Sequence, residues 1–133
     1  MLDEHELTIR VRYSETDAQG FVHHSHYLSY FEMGRTELFR AGGGDYRAME
    51  ERGLFFVVAQ LTCRYHKPAR YDDLLTLRTR VSKLSQAKLE HEYRLYRGDE
   101  LLTTAHSVLA CVDREGNIKR IPEVLDSLKR PAE

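Results

Sequence analysis

The chain is poor in proline, with three in 133 residues, and in cysteine, with two. So few prolines, and no low-complexity run, exclude a disordered or linker-like polymer. Cys63 and Cys111 share no CxxC spacing and each stands in an apolar run, which predicts reduced core thiols rather than a disulfide or a zinc set. An excess of one charge is also missing. Lys and Arg number 20 against 21 Asp and Glu, a formal net charge of -1, so no broad basic field exists to recruit nucleic acid or an anionic membrane. No segment approaches the roughly 18 apolar residues of a membrane span. The opening MLDEHELTIR carries charge where a secretion signal is apolar, and the expectation is a cytoplasmic protein.

What is present has the balance of a compact protein, 41% hydrophobic and 31% charged, at a length that suits one domain over 1–133. Leu7, Ile9, Val11 and Tyr13 alternate with Thr8, Arg10 and Arg12, the period of a half-buried strand over 7–13. Tyr27, Phe31, Gly34, Leu38 and Ala41 then recur at steps of four and three, which predicts one long helix stopped by Gly42-Gly43-Gly44. Leu28, Tyr30, Met33 and Phe39 widen its apolar surface, so more than one side should be covered, and Gly34 would admit a neighbouring backbone. A short helix over 45–52 follows. Four strand-like runs come next, LFFVVAQLTCRYH, LLTLRTRVSKL, AKLEHEYRLYR and LLTTAHSVLACV, with tight turns at Gly98-Asp99 and 114–117 that make neighbours antiparallel. IPEVLDSLKR reads as a C-terminal helix opened by proline.

A strand, a long helix and a run of antiparallel strands is an α+β pattern. The arrangement that satisfies it is an antiparallel sheet of five to six strands wrapped around one central helix. Such a sheet leaves an edge and an apolar outer surface that another copy would bury, so a homo-oligomer is expected.

The chemistry concentrates in TDAQGFVHHSHYLSYFE, residues 16–32. Three histidines, His23, His24 and His26, invite a metal reading, but zinc needs three or four converging ligands. Only His23 and His26 share a face at helical spacing, with His24 pointing away, so no metal site is expected and His23 and His26 read as solvated. Asp17 stands seven residues before His24, with Gly20 between, in a coil that delivers the chain to unpaired helix N–H groups. A carboxylate there can activate water or attack, while the amides hold an oxyanion. An ordinary helix cap and a surface histidine explain the same residues, and spacing alone leaves both readings open.

The stretch YSETDAQGFVHHSHYLSYFEMGRTE, continued by FFVVAQLTCRYHKPARYDDLLTLRTRV, resembles the hotdog-fold acyl-CoA thioesterases of the 4-hydroxybenzoyl-CoA thioesterase family, especially the branch associated with the Tol/Pal system. The resemblance spans nearly the whole chain. It implies the hotdog fold and hydrolysis of a small-to-medium acyl-CoA to the free acid and CoA, without a cofactor or metal. Asp17 matches the family's catalytic carboxylate, Gly20 its loop glycine, and His24 the histidine whose backbone N–H polarises the thioester carbonyl. Tyr27 and Glu32 match recurrent positions, Glu32 being the second choice of carboxylate. A homodimer, or a homotetramer built as a dimer of dimers, is implied, with the pocket at the dimer interface.

A thiolate of pKa near 8.5 leaves readily, so the demand falls on the attacking group and the oxyanion. For substrate contacts the expectation is Ala18, Gln19, Phe55 and Phe56 around the acyl group, and Arg64, Lys67 and Arg70, with Lys83 and Lys88, around the phosphates of CoA. Two rivals remain. A dehydratase of the same fold would carry an HFPG-like loop, which this sequence lacks. A non-catalytic module binding acyl chains or acyl carrier protein would need the pocket but not Asp17 with His24.

Overall fold

The structure, a computed structural model, describes residues 3–121. Strands β1 (Glu4–Arg10), β2 (Leu54–Tyr65), β3 (Leu74–Leu84), β4 (Leu89–Arg97) and β5 (Glu100–Asp113) form one antiparallel sheet in the order β1-β3-β4-β5-β2. The two-residue β6 (Ile118–Lys119) pairs with Cys111 and Val112 of β5, beyond the point where β4 ends. Helix α1 (His24–Ala41) packs on β1 and β3, and α2 (Tyr46–Glu51) on β2. A sheet of six antiparallel strands around one long helix is therefore what forms.

Of the predicted stripe α1 buries Tyr27, Phe31, Gly34 and Leu38, joined by Tyr30, while Ala41 at the helix end is exposed. Phe31, Tyr30, Leu75, Leu77, Tyr93, Leu95 and Leu102 make the main core, and each full burial contributes about 1.5–3 kcal/mol. Gly34 sets how close helix and sheet come. A Cβ built there would lie 2.4 Å from Thr79 Oγ1 and 2.7 Å from Leu77 Cδ2, so no larger residue fits without pushing those two side chains of β3 aside. A second cluster forms around the C-terminal end of α1, where Met49, Leu89, Leu109, Cys111 and Ile121 pack with Phe39, Tyr46 and Phe56. The β4–β5 turn is the two-residue hairpin expected, with Gly98 at φ +59 in the first position, as a type II′ turn requires.

Three expectations change. Strand β1 runs from Glu4 to Arg10 and not to Tyr13, because Val11 leaves β3 to exchange hydrogen bonds with Asp72 and Asp73 and the chain then turns. Tyr13 falls in a 3-10 turn, Tyr13–Glu15, and is 76% exposed. Leu28 and Met33 stay 44% and 45% exposed, so within one chain the helix is covered on one side only. Both cysteines are free thiols, but only Cys111 is fully buried, Cys63 being half-buried at the strand edge. Among the described residues no helix is long and apolar enough to cross a membrane. The expected C-terminal helix lies outside the described residues.

Candidate active site

After β1 the chain makes its 3-10 turn and buries Glu15, a carboxylate that the sequence reading passed over. Its Oε1 accepts the Arg12 N–H at 2.8 Å and the Tyr30 hydroxyl at 2.8 Å, and the Arg12 guanidinium sits 3.3 Å from Oε2. Burial works to raise its pKa, but the hydrogen bonds from Arg12 and Tyr30 and the Arg12 charge outweigh it, and the group lies below the ordinary glutamate value. Burial, and then the Glu15 carboxylate, push the Tyr30 hydroxyl far upward. Glu15 thus ties the turn to the middle of α1 while its own backbone carbonyl accepts the His23 N–H at 2.9 Å.

Between Glu15 and His23 the chain closes on itself. Thr16 bridges Val22, and Asp17 N–H donates to the Phe21 carbonyl at 2.8 Å. The Asp17 carboxylate holds the loop from inside: Oδ1 accepts the Gln19 N–H at 2.8 Å and the Phe21 N–H at 3.3 Å. Gly20, at φ +83, makes the return possible. Asp17 Oδ2 has no hydrogen bond among the described residues, so one oxygen positions the group and the other stays available. The bridge brings Asp17 alongside Phe21, three residues before the first residue of α1. Ala18 and Gln19 lie exposed at the loop tip.

His23 caps α1 from an extended backbone, its Nδ1 accepting the Ser25 N–H at 3.3 Å and meeting Ser25 Oγ at 2.8 Å. The His26 N–H donates to the His23 carbonyl. His24, the first helical residue, is left with an N–H that meets no acceptor among the described residues, at the positive end of an 18-residue helix. The geometry overturns one expectation about the histidines. Because His23 precedes the helix instead of belonging to it, its ring lies beside His24, with centroids 4.1 Å apart, and farther from His26, at 6.5 Å. Among the described residues no three His, Cys, Asp or Glu side chains converge as a metal site.

Tyr27 is buried, and its hydroxyl accepts the Ala69 N–H at 3.2 Å, fastening the segment after β2 to the helix. Burial raises its pKa. Tyr65, also missed, packs its ring 5.0 Å from Tyr27 and donates to the His24 carbonyl at 3.4 Å, so it forms the β2 wall of the helix entry. Burial and the Cys63 thiol push its hydroxyl upward. The signal was the strand alternation, which puts Cys63 and Tyr65 on the helix side of β2. Glu32 is exposed on α1 and pairs with Arg35 at 3.9 Å, two turns from the helix start.

Arg70 lies against the loop, its backbone bridging Phe21 and its guanidinium 4.8 Å from the Phe21 ring. Lys67 instead pairs with Glu100 at 2.8 Å, and Arg64 is exposed on β2. Lys83, near the end of β3, and Lys88, in the β3–β4 turn, lie toward the far end of the sheet. Phe55 and Phe56 are not at this site within one chain. Phe56 packs on Phe39 and Tyr46, and Phe39 stands roughly 22 Å along the helix from His24 at 1.5 Å per residue.

Comparisons with known proteins bear on the family and the fold. A model of the thioesterase-like superfamily matches residues 11–129. The chain is 41% identical over 115 residues to the acyl-CoA thioesterase YbgC of Haemophilus influenzae, covering 85% of each chain. To the acyl-CoA thioester hydrolase YbgC of Escherichia coli O6:H1 it is 34% identical over 106 residues, 79% of each. A solved DHNA-CoA thioesterase from Staphylococcus aureus superposes with a TM-score of 0.87 at 28% identity, over 90% of this chain and 82% of that one.

Proposed function

We propose, from the premise that the chain belongs to the thioesterase-like superfamily and is a thioester hydrolase of the hotdog fold, that it cleaves small-to-medium acyl-CoA thioesters at the entry to α1. One observation carries the reading. A carboxylate fixed through one oxygen by its own loop lies beside a helix start whose first N–H is unpartnered. The thioester carbonyl oxygen accepts the His24 N–H, where the helix dipole favours the charge that develops on it. Oδ2 of Asp17 then removes a proton from water that attacks the carbonyl carbon, or attacks that carbon itself. In either case the C–S bond breaks, sulfur departs as the CoA thiolate, and water's oxygen ends in an acid, directly or by hydrolysis of an acyl-aspartate. The His24 ring, exposed at the mouth, serves to orient water or thiolate.

The site is completed by a second copy. Among the described residues strand β2 is an edge with no partner on its outer hydrogen-bonding side, and Val57 and Val58 are 41% and 48% exposed. Antiparallel pairing of two β2 edges brings the partner's Leu54 end toward this chain's Tyr65 end. Phe55 and Phe56, remote from Asp17 in one chain, then approach the acyl pocket of the other. A homodimer is thus the smallest working unit, and the exposed Leu28 and Met33 add apolar surface for it or for a dimer of dimers.

The test is Asp17→Asn, which keeps the Oδ1 acceptor and hence the loop but removes the charge. Thiol release from a panel of acyl-CoAs should fall by about 10²–10⁴ with Tm unchanged. Undiminished release would remove Asp17 from the mechanism. Single-turnover hydrolysis in H₂¹⁸O separates the two roles, since only a nucleophilic Asp17 acquires label.

A further inference from the structure

The face of the sheet opposite α1 holds an arrangement that the hydrolytic site does not use. Tyr93, Ala105 and Cys63 point toward the helix core, so their strand neighbours point outward. Register places Arg64, Thr104, Arg94, Arg78 and Glu6 in one unbroken row across all five long strands. The next row is Thr62, His106, Glu92, Arg80 and Glu4. A groove of about 710 Å³ lies over the β2, β5 and β4 part of these rows, its lining including Arg64, Arg94, Thr104, His66, His106 and one carboxylate, Glu92. That volume suits a nucleotide-sized ligand.

Pairing within the groove leaves positive charge over. Glu92 is held by Arg80, and the Glu90 carboxylate lies 3.0 Å from His106 Nε2, an ion pair only when that imidazole is protonated. Arg78 is held by Glu6 at 3.0 Å. His66 hydrogen-bonds Thr104 Oγ1 at 3.2 Å, turning both toward the groove floor. Arg64 and Arg94 have no side-chain partner among the described residues. They flank Thr104 from either side, roughly 10 Å apart at two strand spacings. Arg94 also stands directly across from Arg78, a like-charge pair that destabilises a sheet. A row with three arginines and one glutamate is costly when empty and becomes favourable once an anion spans Arg64 and Arg94. Guanidinium forks on both sides and a hydroxyl between them match the oxygens of a phosphoryl group.

We infer that this outer groove is a binding site for an organic phosphate, held by Arg64 and Arg94 across Thr104. The ligand is either the nucleotide end of the CoA substrate, reaching past the Tyr65 end of β2, or a separate phosphate metabolite. Tyr65 stands between Arg64 and His66 and faces the helix entry, so hydrolytic site and groove share one edge strand. The groove does not depend on the hydrolytic reading, because binding is measured without turnover.

The experiment is calorimetric titration of the full-length protein with adenosine 3′,5′-bisphosphate and with pyrophosphate, for wild type, Arg64→Gln, Arg94→Gln and the double variant. Wild type should bind at least one probe, and each single variant should weaken it on the order of tenfold. Repeating the titration on Asp17→Asn, with the same affinity expected, keeps the result apart from the fate of the hydrolytic reading. A rise of KM for acyl-CoA in the double variant, with no change for the matching N-acetylcysteamine thioester, identifies the substrate's own phosphates. Binding that depends on both arginines with KM unmoved identifies a separate metabolite. If neither probe binds wild type at millimolar concentration, or the double variant binds as well as wild type, the groove is not a phosphate site. Folding is monitored by Tm, which the loss of the Arg78–Arg94 opposition should leave unchanged or raised.

Discussion

The two ends of α1 are finished in opposite ways. At the C-terminal end the glycines close the helix, Gly42 N–H donating to Leu38, Gly43 N–H to Arg40 and Gly44 N–H to Phe39. Phe39, Tyr46 and Phe56 then seal that end with three rings, each pair within 6.4 Å, over a Met49 that is fully buried. At the N-terminal end His23 satisfies Ser25 and His26 but leaves the His24 amide open among exposed imidazoles, three residues after Phe21, whose N–H the half-buried Asp17 carboxylate accepts. One end contributes apolar burial, which is stability. The other leaves an exposed amide without a protein acceptor, open to water or to a ligand, on a helix that the first end and the sheet hold in place.

That division predicts activity changes without stability changes at one end and the reverse at the other. The largest effect belongs to Asp17→Asn, which should remove nearly all turnover and move the thermal midpoint by less than about 1 °C, as fluorescence melting would show. Met49→Ala should do the opposite, losing about 3 kcal/mol in urea unfolding while kcat measured well below the midpoint stays within about twofold. A Met49→Ala protein that is folded yet inactive would break the comparison.

Midway between the ends, His91 is 3% exposed and its Nδ1 has no partner among the described residues. Burial first, then the charges of Arg35 and His106, lower its pKa from 6.5 to about 4. The folded state therefore binds this proton less well than the unfolded state does. Stability should be full above pH 6.5 and decline toward pH 4, by about 2–3 kcal/mol at one pKa unit per 1.36 kcal/mol. Urea midpoints at pH 7.5 and 4.5 should converge in His91→Leu. The smallest effect is His23→Ala, which should lose about 1 kcal/mol or less through the missing cap while sparing the His24 amide, so that kcat falls less than Tm would suggest.

Local periodicity made the helix legible. The stripe, its glycine stop and the Gly34 contact all follow from side chains three and four apart, and the Gly98 hairpin from one dipeptide. Strand β1 was misjudged at its end because Tyr13 continues the alternation of Leu7, Ile9 and Val11, while what ends the strand is Asp72 and Asp73, about sixty residues away. The histidine geometry failed for a similar reason, since helical spacing was assumed one residue before the helix begins. Glu15 and Tyr65 escaped notice because their meaning lies in partners, Tyr30 and His24, that only the tertiary fold brings to them. Asp17 was legible as a candidate, but its self-contained hydrogen bonding was not. Phe55 and Phe56 fall at the opposite end of α1 in a single chain, a separation that strand order alone could not reveal.

The carboxylate of Asp17 is anchored entirely by backbone donors inside its own five-residue loop. Neither outward-facing side chain at the tip, Ala18 or Gln19, takes any part in that anchoring. Under the mechanism proposed above, mutations at those two positions would retune which molecules are admitted while the reactive oxygen stays put, and a lineage could drift between diets without first surrendering its catalyst.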